Sequence, residues 1–228
     1  MLAEDLKPNR LEAAKDVAAE FINGRPNDNI GITLFAGETF TQCPLTVDHA
    51  VLLDMIHNIK CGLIEDGTAV GMGVANAVTR LKDSKAKSKV IILLTDGTNN
   101  KGDISPLTAA EIAKSFGIRV YTIGVGTNGM APYPYPVGNT VQYINMPVEI
   151  DEKTLTQIAG TTDGNYFRAT SNSKLKEVYE EIDKLEKTKL NVKEYSKREE
   201  DYRWFALAAF LCVLLEVLLR NSILKKIP

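Results

Sequence analysis

Apolar and polar positions recur along this chain with two different periods, and the switches between them lay out its elements. Leu11, Ala14, Val17, Ala18, Phe21 and Ile22 share one face of a 3.6-residue repeat, so residues 9–23 read as a helix that Gly24 and Pro26 terminate. Residues 30–36, IGITLFA, read as a strand. Residues 39–45, TFTQCPL, read as a short edge strand, because Pro44 cannot donate to a central ladder. A second helix is predicted over 48–59, with Val51, Leu52, Met55, Ile56 and Ile59 inward. A third covers 69–81, where Ala, Gly and Val suit close packing on a sheet. Residues 90–95, VIILLT, form an unbroken run ending at Asp96-Gly97, the mark of a strand buried on both faces. A helix over 106–116, a strand over 119–125, a helix over 151–159 capped by Asp151, a short strand over 165–168 and a helix over 173–187 complete the series.

Strands alternating with helices of this length specify an α/β fold, a doubly wound, mostly parallel sheet with helices on both faces. The alternation stops between 126 and 148. Pro132, Pro134, Pro136 and Pro147 lie there, with Tyr133, Tyr135 and Tyr143 between them. An exposed loop or small hairpin and a partner-contact surface are both compatible with that composition.

The carboxyl end differs in character. Residues 185–201 are highly charged, and from Trp204 to Leu219 only Glu216 interrupts an apolar run. Counted to Leu224, the run is long enough for a hydrocarbon core of about 30 Å if Arg220 snorkels. Tyr202, Arg203 and Trp204 on one side, with Lys225 and Lys226 on the other, suit membrane interfaces. The expected organisation is a domain over 1–190, a charged linker over 191–203, a transmembrane helix over 204–224 and a basic tail over 225–228. An amphipathic helix docked on another subunit is the alternative. Residues 1–10 hold Glu4, Asp5, Lys7 and Arg10 without an apolar core, which is not a signal-peptide pattern.

Composition narrows the chemistry. A net charge of -2 without a basic, aromatic-interleaved patch gives no basis for a nucleic-acid partner. Cys43, Cys61 and Cys212 form no CxxC pair, so no zinc site is signalled; Cys43 and Cys61 are bridgeable in an oxidising compartment only if their geometry allows. His49 and His57 have no third ligand at metal spacing and read as packing residues. Gly71-Met72-Gly73 lies within a helical pattern, where it serves helix–sheet packing rather than a dinucleotide. No GxSxG or Cys/His pairing suggests a nucleophile.

Two loops carry the candidate chemistry. EDGT, residues 65–68, precedes the third helix, and TDGTNN, residues 95–100, follows the buried strand. Both fall at the carboxyl edge of a doubly wound sheet, where such folds bind ligands. Thr68 offers a hydroxyl oxygen and Asp96 a carboxylate, donors suited to a hard cation such as Mg²⁺.

These motifs resemble the second and third parts of the metal-ion-dependent adhesion site (MIDAS) of von Willebrand factor A domains. With LAEDLKPNR, IGITLFAG, TQCPLT, EDGTAVGMGVANAV, IRVYTIGVGT and RNSILKKIP, the chain resembles the BatA group of bacterial membrane-anchored A-domain proteins. The first part of that site, DxSxS at the end of a first central strand, is absent from this chain. The expectation is a sheet lacking the strand between 30–36 and 90–95. The resemblance implies a non-enzymatic domain that holds Mg²⁺ at Thr68 and Asp96 and binds a protein partner whose acidic side chain completes the metal shell. It further implies aerotolerance or envelope-stress complexes with a MoxR-type AAA+ ATPase and other Bat proteins. It places the domain in the periplasm, anchored in the bacterial inner membrane. Asn99, Asp103, Tyr133 and Tyr135 are the expected partner-binding residues. The rival reading is a Mg²⁺-dependent phosphotransferase or phosphatase using Asp96, with Lys101 as the nearby lysine.

Overall fold

The structure is a computed structural model that describes residues 1–127, 129–138, 140–196 and 202–222. It comprises two compact units, Met1–Leu185 and Glu186–Pro228.

In the first unit the elements run α1 (Arg10–Asn23), β1 (Ile30–Phe35), β2 (Thr39–Thr46), α2 (His49–His57), α3 (Val70–Leu81), β3 (Val90–Thr95), α4 (Pro106–Ser115) and β4 (Arg119–Val125). They continue with β5 (Gly129–Val137), β6 (Thr140–Val148), α5 (Glu152–Thr161), β7 (Tyr166–Ala169) and α6 (Asn172–Ser196), which passes into the second unit. Helix α7 (Tyr202–Ser222) follows. Local chemistry starts the helices, at Asp151 as the sequence indicated. Asn9 accepts from the Glu12 amide, Asp48 from Val51, Ser105 from Thr108 and Asp151 from Thr154, each satisfying a donor that the first helical turn leaves free.

β3, β4 and β7 form a parallel sheet in that order, with Val90 opposite Arg119 and Thr122 opposite Tyr166. Its two faces are read off alternate residues. Ile91, Leu93 and Val120 pack with α3, α4 and α5, while Val90, Ile92, Tyr121, Ile123 and Val125 pack with α1 and α6. This is the doubly wound arrangement. β1 and β2 pair antiparallel as a separate ribbon that, with α2, encloses a third cluster around Leu52 and Ile56. Among the described residues, no strand is hydrogen-bonded between β1 and β3, and the two are not paired with each other. The sheet is therefore divided where a further strand was expected.

Three features depart from the reading above or sharpen it. Helix α6 continues past residue 187 to Ser196, into the segment taken as linker. Residues 129–148 form a regular antiparallel hairpin despite their prolines. Cys43, Cys61 and Cys212 are all free, Cys43 buried and Cys61 exposed.

The expected span over 204–224 is not supported, since no helix among the described residues is long and apolar enough to cross a membrane. The span falls partly outside them. The side chains of Tyr202, Arg203, Trp204 and Arg220, and residues 225–228 entirely, are not described. What α7 does show is large apolar side chains exposed along its length, among them Leu207, Phe210, Val213 and Leu215.

Residues 1–9 run to the head of α1 and bring Asp5 and Arg10 together in the interior. Arg10 is 1% exposed. Its Nε and Nη2 donate to the two Asp5 oxygens at 2.7 and 2.6 Å. Asp5 Oδ2 also accepts from the Thr127 amide at 2.7 Å. Gly126, at φ +122, makes room, since a Cβ there would lie 2.3 Å from Arg10 Cζ. Burial by itself raises the Asp5 pKa, but the Arg10 and Thr127 hydrogen bonds outweigh it and hold this carboxyl well below the usual carboxylate range.

Arg10→Met is expected to lower stability by about 3–5 kcal/mol in denaturant unfolding, because it leaves a buried carboxylate unpaired. The depressed pKa gives a pH signature. The contribution of Asp5 is complete above about pH 4, its unfolded value, and is lost as pH falls toward the folded value. Unfolding measured across acid pH should therefore show a shallower loss in Asp5→Asn than in the natural chain. Parallel acid limbs would sink this account.

Candidate metal and partner site

Three backbone segments meet at the carboxyl edge. The Gly37 amide, just after β1, donates to Glu65 O at 2.7 Å, and the Ala69 amide donates to Ala36 O at 2.7 Å. The 65–69 loop is thus fastened to the end of β1. Helix α3 has no cap of its own, since Ala69 occupies that position. The loop after β3 supplies acceptors instead. Asn99 Oδ1 accepts from the Val70 amide and Asn100 Oδ1 from the Thr68 amide, both at 2.8 Å, and the Asn100 amide returns a bond to Thr68 O at 3.0 Å. The first of these bonds satisfies an amide that the helix start leaves free.

That tie fixes Thr68 against the Asp96 loop. The Thr68 hydroxyl lies 3.5 Å from where a Gly97 Cβ would stand, one residue from Asp96. The helix packs equally closely at its first turn. A Cβ on Gly71 would meet Ile104 O at 2.0 Å, and one on Gly73 the Phe35 ring at 2.9 Å, so both glycines serve packing.

Asp96 is not free of cations. Arg10 Nη1 donates to its Oδ2 at 3.3 Å, and the amino group of Met1 pairs with the same oxygen. Arg10 was missed as a site residue, because a charged residue at a helix start reads as solvated. The signal for it is the Gly126 that makes room for its guanidinium.

Of the other expected residues, Asn99 has the internal role just described. Asp103 is exposed in the same loop. Tyr133 is half-buried and Tyr135 exposed on β5. Residues 1–5 span the interval between loop and hairpin, with Met1 on Asp96 and the Glu4 amide donating to Pro132 O at 2.9 Å.

As a metal centre the residues fit in kind. Thr68 and Asp96 are hard oxygen donors brought to one edge, but they supply two of the roughly six oxygens Mg²⁺ takes. No group of three His, Cys, Asp or Glu able to hold a metal occurs among the described residues. Lys101, which a phosphotransferase would set over a phosphate, is paired with Glu65 Oε1 at 2.9 Å.

Residues 2–181 match the von Willebrand factor type A domain model. An uncharacterized protein of Borreliella burgdorferi is 26% identical over 220 residues, covering 96% of this chain and 64% of its own length. The chain thus spans less than two thirds of that relative. Among solved structures, BatB from Bacteroides thetaiotaomicron is 33% identical, covers 82% of this chain and 93% of its own, and superposes with a TM-score of 0.71. An aerotolerance-related membrane protein from Bacteroides fragilis is 30% identical, with coverage of 81% and 91% and a TM-score of 0.70. The likeness to the BatA group drawn from the motifs stands with these neighbours.

Two outcomes are expected here. Asn99→Ala should destabilise by about 1–3 kcal/mol in urea unfolding, because the Val70 amide loses its acceptor. Mg²⁺ titrated calorimetrically into this chain should give no saturable heat below the millimolar range, since two protein donors offset its hydration poorly. Tight stoichiometric binding would reveal a ligand outside this pair.

Proposed function

We propose that this chain, which belongs to the von Willebrand factor type A domain family, is a non-enzymatic docking domain that grips an acidic protein partner at its carboxyl edge. The observation that carries this reading is the Asn99 and Asn100 tie, which holds the Thr68 and Asp96 loops together at one edge. A divalent cation, Mg²⁺ in this reading, would be held by Thr68 and Asp96. It would supply an open coordination position for a partner's carboxylate. Asp103 lends polar character to the rim of that loop, while Tyr133 and Tyr135 offer rigid aromatic area at modest entropy cost.

Membrane anchoring belongs to the same proposal. The apolar run from Trp204 to Leu224 extends past the described part of α7; as a helix it would reach about 32 Å at 1.5 Å per residue, against a hydrocarbon core of about 30 Å. Its exposed Leu207, Phe210 and Leu211 have no reason to face water. A solved neighbour is itself described as a membrane protein. The domain would then face the periplasm from the bacterial inner membrane. Its partners would be a MoxR-type AAA+ ATPase or other Bat proteins, in a complex serving aerotolerance or envelope stress.

The test is capture of such a partner by the full chain in detergent, with Mg²⁺ or with a chelator. Asp96→Ala and chelation should each abolish capture, while the melting temperature of Asp96→Ala stays above the assay temperature. Capture that survives both removes the metal edge from the interface. For the anchor, the full chain should float with lipid vesicles and a chain ending at Lys193 should not; equal flotation would refute the span.

A further inference from the structure

In an antiparallel ladder, residue pairs alternate between those that exchange both backbone hydrogen bonds and those whose N–H and C=O point outward. Proline cannot occupy the first kind without loss, so the prolines phase this hairpin. Pro132 faces Asn145, Pro134 faces Tyr143, Pro136 faces Val141, and Pro147 faces Met130. All four pairs share one phase, which must be the outward one. The amide of Glu4 confirms it by donating from outside the ribbon to Pro132 O at 2.9 Å. Val137 and Thr140, which flank the turn, fall in the inward phase that a two-residue hairpin requires.

The two outer edges are consequently unlike. Along β5, three successive outward positions have no N–H, which closes that edge to strand addition. Along β6, Val141, Tyr143 and Asn145 present outward N–H and C=O groups, and residues 140–147 are exposed throughout. Edges left open in this way are ordinarily guarded by charged side chains. Here residues 129–148 contain no Asp, Glu, Lys, Arg or His, in a chain 25% of whose residues are charged.

We propose that the outer edge of β6 is a self-association edge that takes β6 of a second copy of this chain, antiparallel across a two-fold axis at Tyr143. Val141 then opposes Asn145 of the other copy, and about six ladder hydrogen bonds form. Three arguments select a second copy. The edge is self-complementary, because the outward positions lie symmetrically about Tyr143. The ribbon carries no charge of its own to repel a copy or select a charged partner, and the Glu4 carboxylate beside it is taken up by the Tyr143 hydroxyl. A two-stranded hairpin is marginal by itself, whereas pairing makes it four-stranded and covers Val141 and Tyr143, exposed at 58% and 61%. The proposal is independent of the metal reading.

The experiment uses the full chain in detergent at tens of micromolar, with mass measured by light scattering. The natural chain should be dimeric. Val141→Pro with Asn145→Pro removes only outward N–H groups, so it should give a monomer with an unchanged melting temperature. Ile144→Pro, which removes an inward donor, should lower that temperature. A second measurement avoids proline. Tyr143→Cys, in a chain also carrying Cys61→Ser and Cys212→Ser, should form a disulfide-linked dimer under mild oxidation, while Tyr135→Cys in that background should not. A monomeric natural chain, a dimer that persists in the doubly sealed variant, or no Tyr143→Cys cross-link would each overturn the proposal. Strand addition by a foreign peptide to a monomeric natural chain would overturn it as well.

Discussion

Arg10 is 1% exposed, and a guanidinium cannot shed its charge, so its burial requires anions to meet it and backbone to make way. Asp5 meets it with two short bonds, Asp96 with a third, and Gly126 yields the space. The requirement sets three segments in register: residues 1–10, the end of β3, and the end of β4. It also conditions the chemistry of the edge. Asp96 is shared between an internal cation, itself positioned by Asp5, and any external one. A ligand at this edge enters a charge balance that is already largely closed.

The second constraint is a helix that begins without a cap. α3 starts at Ala69-Val70, and the Val70 amide finds its acceptor on Asn99 of another loop, while the Thr68 amide just before the helix finds Asn100. A cap borrowed across the edge makes the start of α3 and the geometry of the two oxygen donors one problem. The polar loop after β3 is therefore part of the scaffold before it is part of any recognition surface.

Much of the fold was legible because its signals are local. The aliphatic runs of β3 and β4, the cap Asp151 and the Pro-led start of α4 each carry their reason within a few residues. The division between β1 and β3 was also anticipated, from a motif with no counterpart in the chain. What escaped was relational. Arg10 at a helix start looks like a solvated charge until the Gly126 opposite it is known. Asn99 looks like rim polarity until Val70 lacks a cap. The prolines of 132–136 look like loop markers, because whether proline breaks a ladder depends on the phase of a pairing with residues 141–145. Single-residue propensities do not contain that phase.

The same segment serves both unusual features of the molecule. Residues 1–5 place Met1 on Asp96, Asp5 on Arg10, and the amide of Glu4 on Pro132 O, an outward carbonyl of β5. Having lost its outward N–H groups to proline, β5 can still accept, and it uses one acceptor to fasten the hairpin to the domain. Proline thus divides the ribbon. On one edge Pro132, Pro134 and Pro136 leave only acceptors, and the carbonyl of Pro132 takes a donor from its own chain. The other keeps both donors and acceptors and is turned outward. The interior charge cluster and the hairpin are accordingly coupled through the first five residues of the chain. The position of those five residues is fixed by the buried Asp5–Arg10 pair.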